Sequence, residues 1–589
     1  MKSKLISIFV IFVIPLLYFY DETVATTLTA LVASGFAAGY AIEQQKKRQL
    51  LPAKLLFTIG FIIIAWLLLV GRSVWVSCSV YASWPVFIKL CSLLLLTCSI
   101  AYELAINPTG FIAFYRIAAL TGLLQGIMAI AEYIEAPPIP ATWLDPASKE
   151  LFRTRCCGIM TDPNLFAAFM SVLFILTIAL IIRTDNKKEQ IMAAISLIFC
   201  GTGIFMTLSR GGWVALVAAL IAYGISLYIA RKKLTAFATK TLAITAVLLL
   251  IVFFSGPFKY RLFSITKPSD MTFAQRTLIN KGIFASLDKL PVTGHGIHTF
   301  IQVYPLYRAV GGDYPMYAHN EYLQSLIETG FLSSLLLMAL TFYLLRIAYK
   351  SAKNRNLDCI AFSSAFISLL VQNLSGFSSR MMPTSVLIAI TVGAMLSSQL
   401  KKSANQRSYP IINFTNYAIL AMSILVVFSS ANIFVIQNKF KQANQYLASG
   451  DINSAAQKFE EILRWQPDNS SAASTLGMIM LIAKQPQKAA EIWEKASIHN
   501  KYEANFPISL ARLYASTNPE LSEMYYQKAL ELDPASENFR VEYAKFLISL
   551  DKKSEAKAIL EKGLTYSPGF HNVYKGFLEI EQILAELGS

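Results

Sequence analysis

The sequence predicts an all-α protein in two parts: a polytopic transmembrane helical domain, then a domain of helical repeats. Three observations carry this. Of 589 residues, 55% are apolar and only 15% are charged, against about a quarter charged in soluble proteins. The apolar excess falls in runs of about 17 to 25 residues in the first three quarters of the chain, the length that crosses a bilayer as helix. Beyond residue 436 the runs shorten and a pattern recurs every 33 or 34 residues.

Apolar runs lie near 5–20, 24–42, 54–71, 84–104, 109–132, 163–183, 191–208, 212–230, 238–256, 330–348, 358–377, 383–400 and 416–435, about thirteen spans. The first follows Lys2 and Lys4 as in a signal peptide. It lacks a small-residue cleavage site, so it reads as a retained anchor. With the N-terminus cytoplasmic, every basic cluster falls on one side: Lys46–Lys47–Arg48, then Arg183 with Lys187 and Lys188, Arg231–Lys232–Lys233, Lys350 with Lys353 and Arg355, and Lys401–Lys402 with Arg407. This positive-inside bias accounts for the net charge of +16 without a nucleic-acid partner. It predicts an inner-membrane, multi-pass protein with membrane lipids around it and the C-terminal domain on the periplasmic side. The expected boundaries are 1–435 for the membrane domain and 436–589 for the repeats. Two outer loops are long, 136–162 and 257–329, and long ordered loops usually carry function. Both face away from cytoplasmic nucleotide sugars, so an enzyme here needs a donor already carried across the membrane.

In the C-terminal part, Ala455, Ala489 and Ala556 recur, as do Phe459, Trp493, Tyr526 and Leu560. Pro467, Pro534 and Pro568 close three units, and Lys501 stands where the second would have its proline. Tyr446 marks a first helix, and Gly477 a close helix approach. The pattern resembles the tetratricopeptide repeat over about residues 436–570, four units. It serves either as a scaffold or spacer, or as a dock for an acceptor or protein partner.

Cys91, Cys98, Cys200 and Cys359 lie in apolar runs and read as small hydrophobes. Cys78, Cys156 and Cys157 lie in outer loops, and a disulfide from Cys78 to either of the others is left open. Lys89, Glu103, Arg116 and Glu132 sit in or near spans, where charges face a cavity or a partner.

Three local sequences stand out: Thr161-Asp162-Pro163-Asn164, Leu208-Ser209-Arg210-Gly211-Gly212-Trp213, and Ala318-His319-Asn320-Glu321-Tyr322-Leu323-Gln324. The long loop adds Phe273-Ala274-Gln275-Arg276 and Pro291-Val292-Thr293-Gly294-His295-Gly296. Arginine holds phosphate oxygens in a two-pronged fork and stays charged. Arg210 lies at a membrane edge, where a lipid diphosphate would sit; ordinary lipid phosphate would suit a snorkelling arginine there too. Arg276 is expected to open an amphipathic helix with Ile279, Ile283, Phe284 and Leu287 on one face, or to be a solvated helix-end charge. Arg153 and Arg155 would add to a phosphate site. Imidazole suits a general base at neutral pH, and His295, His298 and His319 share the long loop. Their glycine-rich surroundings lack acidic or cysteine ligands, and the outer loops lack an Asp-x-Asp pair, so no metal is expected.

Taken in order, Asp-Pro-Asn, Ser-Arg-Gly-Gly, a loop arginine, Pro-x-x-Gly-x-Gly and His-Asn-x-Tyr-Leu resemble the O-antigen ligase and polymerase superfamily, which includes bacterial protein O-oligosaccharyltransferases. The marks span roughly residues 160–335. The resemblance implies a GT-C-like membrane fold and transfer of a glycan from undecaprenyl diphosphate to an acceptor hydroxyl. The reaction would be inverting, without metal or other cofactor. It further implies His319, Arg210 and Arg276 as the catalytic set, the two arginines also holding the donor, with Asn320 beside them. The acceptor stays open: a lipid A core or similar glycan for a ligase, a Ser or Thr for a protein transferase, a second lipid-linked glycan for a polymerase. A transporter is the non-enzyme alternative; it predicts symmetric halves, which the spans do not show.

Overall fold

A computed structural model describes residues 2–47, 60–140, 154–254, 256–263, 271–309, 312, 314–403, 411–566 and 575–588. Arg48, Arg153, Arg407 and Pro568 lie outside the described residues. Among the described residues the secondary structure is helical throughout, with no strand. Ten helices are long and apolar enough to cross a membrane by length and composition, and three shorter apolar helices, Phe61–Trp75, Ala236–Ile251 and Leu357–Gln372, fall at the other three expected spans. The protein is a multi-pass membrane protein.

The bundle begins with α1 (Lys2–Tyr20), α2 (Glu22–Lys47), α3 (Phe61–Trp75), α4 (Val80–Ile106) and α5 (Gly110–Glu135). It continues with α6 (Pro163–Arg183), α7 (Lys187–Met206), α8 (Arg210–Ile229) and α9 (Ala236–Phe254). In the long loop stand α10 (Gly256–Phe263) and α11 (Met271–Ala285), followed by α12 (Glu321–Lys353), α13 (Leu357–Gln372) and α14 (Met382–Ser403). The central helix is α6, whose side chains are almost all buried. It packs against α5, α7, α8 and α13. Apolar side chains such as Leu68, Val247, Phe342 and Phe428 remain exposed on the outside, as a lipid-facing surface requires.

The charges inside spans have partners. Glu103 accepts from Ser3 and Tyr40, Arg116 pairs with Glu189 at 2.6 Å, and Lys89 donates to the Arg380 carbonyl. Glu132 accepts from the backbone N–H groups of Cys157 and Gly158, at 3.0 and 2.8 Å. That contact pins the end of the 136–162 loop. All seven cysteines are free thiols; Cys156 and Cys157 turn to the Ala129 carbonyl and to Glu132 instead of Cys78.

One helix, α15 (Ile411–Ala448), carries the last apolar run and continues into the repeats. The expected boundary after residue 435 therefore falls inside an unbroken helix. The repeats follow as α16 (Ile452–Trp465), α17 (Ser470–Ile482), α18 (Pro486–His499), α19 (Asn505–Tyr514), α20 (Pro519–Leu532), α21 (Glu537–Ser549), α22 (Lys553–Leu564) and α23 (Lys575–Gly588), the end of α15 pairing with α16, α17 with α18, α19 with α20 and α21 with α22. Ala455, Phe459, Ala489, Trp493, Tyr526, Ala556 and Leu560 are all buried. A Cβ on Gly477 would stand 2.1 Å from the Trp493 indole. The small residue is thus what lets α17 and α18 close. Each pair buries its face on the next, as in other stacked repeats.

Candidate active site

Three helices start at one end of the bundle, each capped by a side chain from the motifs. Asp162 caps α6 through the Asn164 and Leu165 N–H groups, both at 2.8 Å. Ser209 caps α8 through the Gly212 N–H and donates to Asn164 Oδ1 at 2.7 Å. Asn320 caps α12 through the Tyr322 and Leu323 N–H groups. The turn after α13 joins them. Gln372 donates to the Asn164 carbonyl, and the Asn373 carbonyl accepts from the Glu321 N–H at 3.0 Å. Ser375 lies where a Cβ on Gly211 would stand. Three helix N-termini gathered here favour an anion.

Arginines converge on the same place. Arg155 is buried and donates from Nε to the Thr207 carbonyl at 3.0 Å; Arg261, also buried, donates to the neighbouring Leu208 carbonyl. Burial, then the charges of Arg261, Arg276 and Arg210, hold the Arg155 pKa below the ordinary arginine range, while Asp162 opposes them. Guanidinium stays charged regardless. The consequence is a concentrated positive field from four side chains on the 154–162 segment, α8, α10 and α11.

His319 sits at the edge of this field. Its backbone is left-handed, with φ 52°, which turns the chain just before the α12 cap. Phe377 packs on its ring at 5.2 Å between centroids and stacks on Tyr317 at 4.4 Å. Nδ1 has no hydrogen-bond partner among the described residues. Burial first, and the Arg276 charge second, push the His319 pKa down to about 3. The imidazole is therefore neutral, able to accept a proton, and close enough to Arg276 to feel its charge.

Arg155, Arg210, Arg276, His319 and Asn320 thus come together. The Asn320 side-chain oxygen caps α12, and its amide N–H groups carry the remaining hydrogen-bonding capacity. Arg276 lies within α11, not at its start. Ile279 and Ile283 are buried, but Phe284 is exposed, and Leu287, also exposed, lies beyond the helix end at Ala285 in a short turn of its own.

The Pro-x-x-Gly-x-Gly run is structural. Gly294, Gly296 and Gly330 all have positive φ. A Cβ on Gly294 would stand 2.4 Å from the Glu328 carbonyl oxygen, and one on Gly330 2.1 Å from that of Val292. The His295 and Gly296 N–H groups donate to Ile327 and Glu328. This backbone-on-backbone seam kinks α12 at Gly330 and fixes the long loop on it. His295 is buried in this seam, with its pKa lowered to about 4 by burial.

Two features were not singled out from the sequence. Arg261 follows the ninth span as one more basic residue. Arg380 makes a two-pronged contact with Glu321, at 2.8 and 2.9 Å, and a third bond to Glu328 at 2.8 Å. It locks the first turns of α12, next to His319. The polar run Asn373-Leu374-Ser375-Gly376-Phe377-Ser378-Ser379-Arg380 between two spans was the available signal. Among the described residues no group of three or more His, Cys, Asp or Glu side chains is placed to hold a metal.

Residues 195–338 match the family model described as O-antigen ligase. No curated protein matches the chain. Among solved structures, one described as the crystal structure of MamA protein is 17% identical, covers 26% of this chain and 86% of that chain, and has a TM-score of 0.22. Another, described as the crystal structure of MamA, is 17% identical with 25% and 91% covered and a TM-score of 0.21. The family match runs from α7 through Arg210, Arg276 and His319 to beyond the Gly330 kink, so residues 195–338 of this membrane protein are similar to an O-antigen ligase domain.

Proposed function

We propose that the protein is a glycosyltransferase that moves a glycan from undecaprenyl diphosphate to an acceptor hydroxyl on a lipid A core or similar glycan. It acts at the outer face of the inner membrane, by inversion and without a metal. The observation that carries this is the neutral, buried His319 imidazole beside a field of four arginines at three helix N-termini.

In the proposed step the His319 imidazole takes the proton from the acceptor hydroxyl. The acceptor oxygen attacks the anomeric carbon from the face opposite the leaving group, and one displacement inverts the centre. The bond from that carbon to the phosphate oxygen breaks, and its electron pair leaves with the lipid diphosphate. Arg210 and Arg276, with Arg155 and Arg261 behind them, face the charge that builds on the diphosphate. Fixed cations aimed at developing charge are a large catalytic term. Lys187, Lys188, Arg231, Lys350 and Lys353 lie at the opposite end of the bundle, which by the positive-inside bias faces the cytoplasm.

The test is mass spectrometry of lipopolysaccharide, envelope proteins and lipid-linked glycans from a deletion strain, complemented with wild type or His319→Ala. Loss of glycan from lipopolysaccharide, with lipid-linked glycan accumulating, supports the reading. Loss from envelope proteins, or shortened lipid-linked chains, would change the acceptor to protein or to a growing glycan. An unchanged glycan profile overturns it.

A further inference from the structure

The repeats meet the rest of the outer surface along one rim. Three contacts fall on turns that join one helix pair to the next. Between α16 and α17, Asp468 accepts from the Tyr81 N–H at 2.6 Å, and Ser470 lies 2.8 Å from the Tyr81 hydroxyl. Between α18 and α19, Tyr502 meets the His295 ring edge-on at 5.2 Å. Between α20 and α21, Asp533 accepts from the Tyr314 hydroxyl and lies 3.5 Å from Arg308, with Glu537 at 3.9 Å. Equivalent turns of successive repeats touch down, so the stack stands on its edge.

The third contact differs in kind. The Arg308 and Asp533 side chains are each 5% exposed. Arg308 also donates to the Gly312 carbonyl at 2.8 Å and to the Tyr314 hydroxyl at 2.6 Å, and its guanidinium lies 3.9 Å over the Tyr314 ring. Arg308 therefore holds Gly312 and Tyr314 together, and Asp533 meets both Arg308 and Tyr314 from the repeats. Tyr314 is five residues before His319. Between them the Ala318 N–H donates to Gln324; beyond His319 the chain is fixed by the Asn320 cap, and Phe377 packs against the imidazole itself.

We propose that the repeat region is a positioning element for the transfer base, with Asp533 as the positioning residue that fixes the Arg308–Tyr314 turn and hence the approach of the chain to His319. This rests on the reading of His319 as the base. A buried ion pair has a narrow preferred geometry, and losing one partner leaves an uncompensated charge that moves its surroundings. Displacing a base by even about 1 Å costs on the order of a hundredfold in rate. On the reading proposed above the donor is held by four arginines, three of which (Arg155, Arg210 and Arg261) lie on other segments, so its binding is largely spared; only Arg276 lies on a helix, α11, that packs on the Tyr307 and Ala309 backbone.

The experiment uses full-length protein in lipid nanodiscs with a purified undecaprenyl-diphosphate-linked glycan and its acceptor. Asp533→Ala is expected to lower kcat by at least about tenfold, with donor KM and direct donor binding within about twofold. Asp533→Asn keeps an acceptor for Tyr314 but loses the charge, and should fall between Ala and wild type. Asp468→Ala breaks a rim contact that does not touch the His319 segment, and should keep kcat within about twofold. Tyr314→Phe deletes one hydroxyl and guards against misfolding of the Asp533 variants. It should lower kcat about threefold at unchanged donor KM. Equal losses in Asp533→Ala and Asp468→Ala, a loss confined to donor KM, or wild-type kcat in Tyr314→Phe each overturn the proposal. Full transfer by His319→Ala instead removes the reading beneath it. An inactive His319→Ala beside a fully active Asp533→Ala removes this inference alone.

Discussion

His319→Ala separates base from binding. The imidazole faces an aromatic neighbour, Phe377, with Nδ1 unpartnered among the described residues, and in the proposed function the donor's charge is met elsewhere, by the arginines. Removing it should therefore cost the rate and spare the donor. A positioned general base is worth roughly 10²–10⁴ in rate, about 3 to 5 kcal/mol on the barrier. Arg276→Ala removes a charge-assisted contact worth about 1.5–3 kcal/mol, on the order of ten- to a hundredfold in donor affinity. It also takes away one of the two causes that hold the His319 proton affinity down. Lysine at 210 or 276 should rescue only in part, because an ammonium cannot reproduce the fork. The assay is transfer of a labelled glycan, with donor binding followed separately by titration. Near-normal transfer by well-inserted His319→Ala would refute the reasoning, as would a matching loss of donor affinity.

The remaining predictions concern pH, the glycine seam, metal and topology. Burial and Arg276 both disfavour the imidazolium, so the His319 pKa lies near 3 rather than its ordinary 6.5, and the base stays available as pH falls. Between pH 7 and 5, kcat/KM for the donor should show no acid limb from this group; a limb near 6.5 that is absent in His319→Ala would refute this. A bound diphosphate opposes Arg276, so the limb in kcat should lie higher than that in kcat/KM. Gly294→Ala places a Cβ 2.4 Å from the Glu328 carbonyl oxygen at a φ of 69°, and should destabilise the loop by roughly 2 kcal/mol, read as a lowered thermal midpoint in detergent. Because arginines supply the positive charge, transfer should persist in EDTA; a tenfold loss restored by magnesium or manganese would show a metal site. Alkaline phosphatase fused after residue 440 should be active, and an inactive fusion there with an active one at 405 would invert the topology.

The fold was legible because each element announces itself locally. Apolar runs and basic turns fix the spans, and the period of alanines, aromatics and prolines fixes the repeats. The motifs were legible as chemistry, but their structural duties were not. The cap that the Asn320 oxygen makes on the Tyr322 and Leu323 N–H groups is one such duty. Gly294 and Gly330 read as flexible turn residues until each is found against the other's backbone. Phe284 and Leu287 fit a helical stripe by spacing, yet Phe284 stays exposed and α11 ends at Ala285, before Leu287. Arg380 could not be ranked above other basic residues, because its partners Glu321 and Glu328 are more than fifty residues away in the chain.

The family match explains part of the site and also shows what it lacks. Arg210, Arg261, Arg276 and His319 all lie within residues 195–338. Arg155, Phe377 and Arg380 do not, and neither does Asp162, which opens the central helix. The matched segment draws its buried support from α6 and from the turn after α13, and Arg308 within it draws its counter-charge from Asp533 in the repeats. An arginine field of this density repels itself. It holds its shape because Thr207 and Leu208 offer carbonyls to Arg155 and Arg261, and because the Asp162 carboxylate counters part of the charge around Arg155. Residues 195–338 expressed alone would keep the four charged and basic groups and lose the structure that aims them. Changes at Phe377 or Arg380, outside the matched segment, are accordingly expected to lower transfer as changes at His319 do, while leaving the family match untouched.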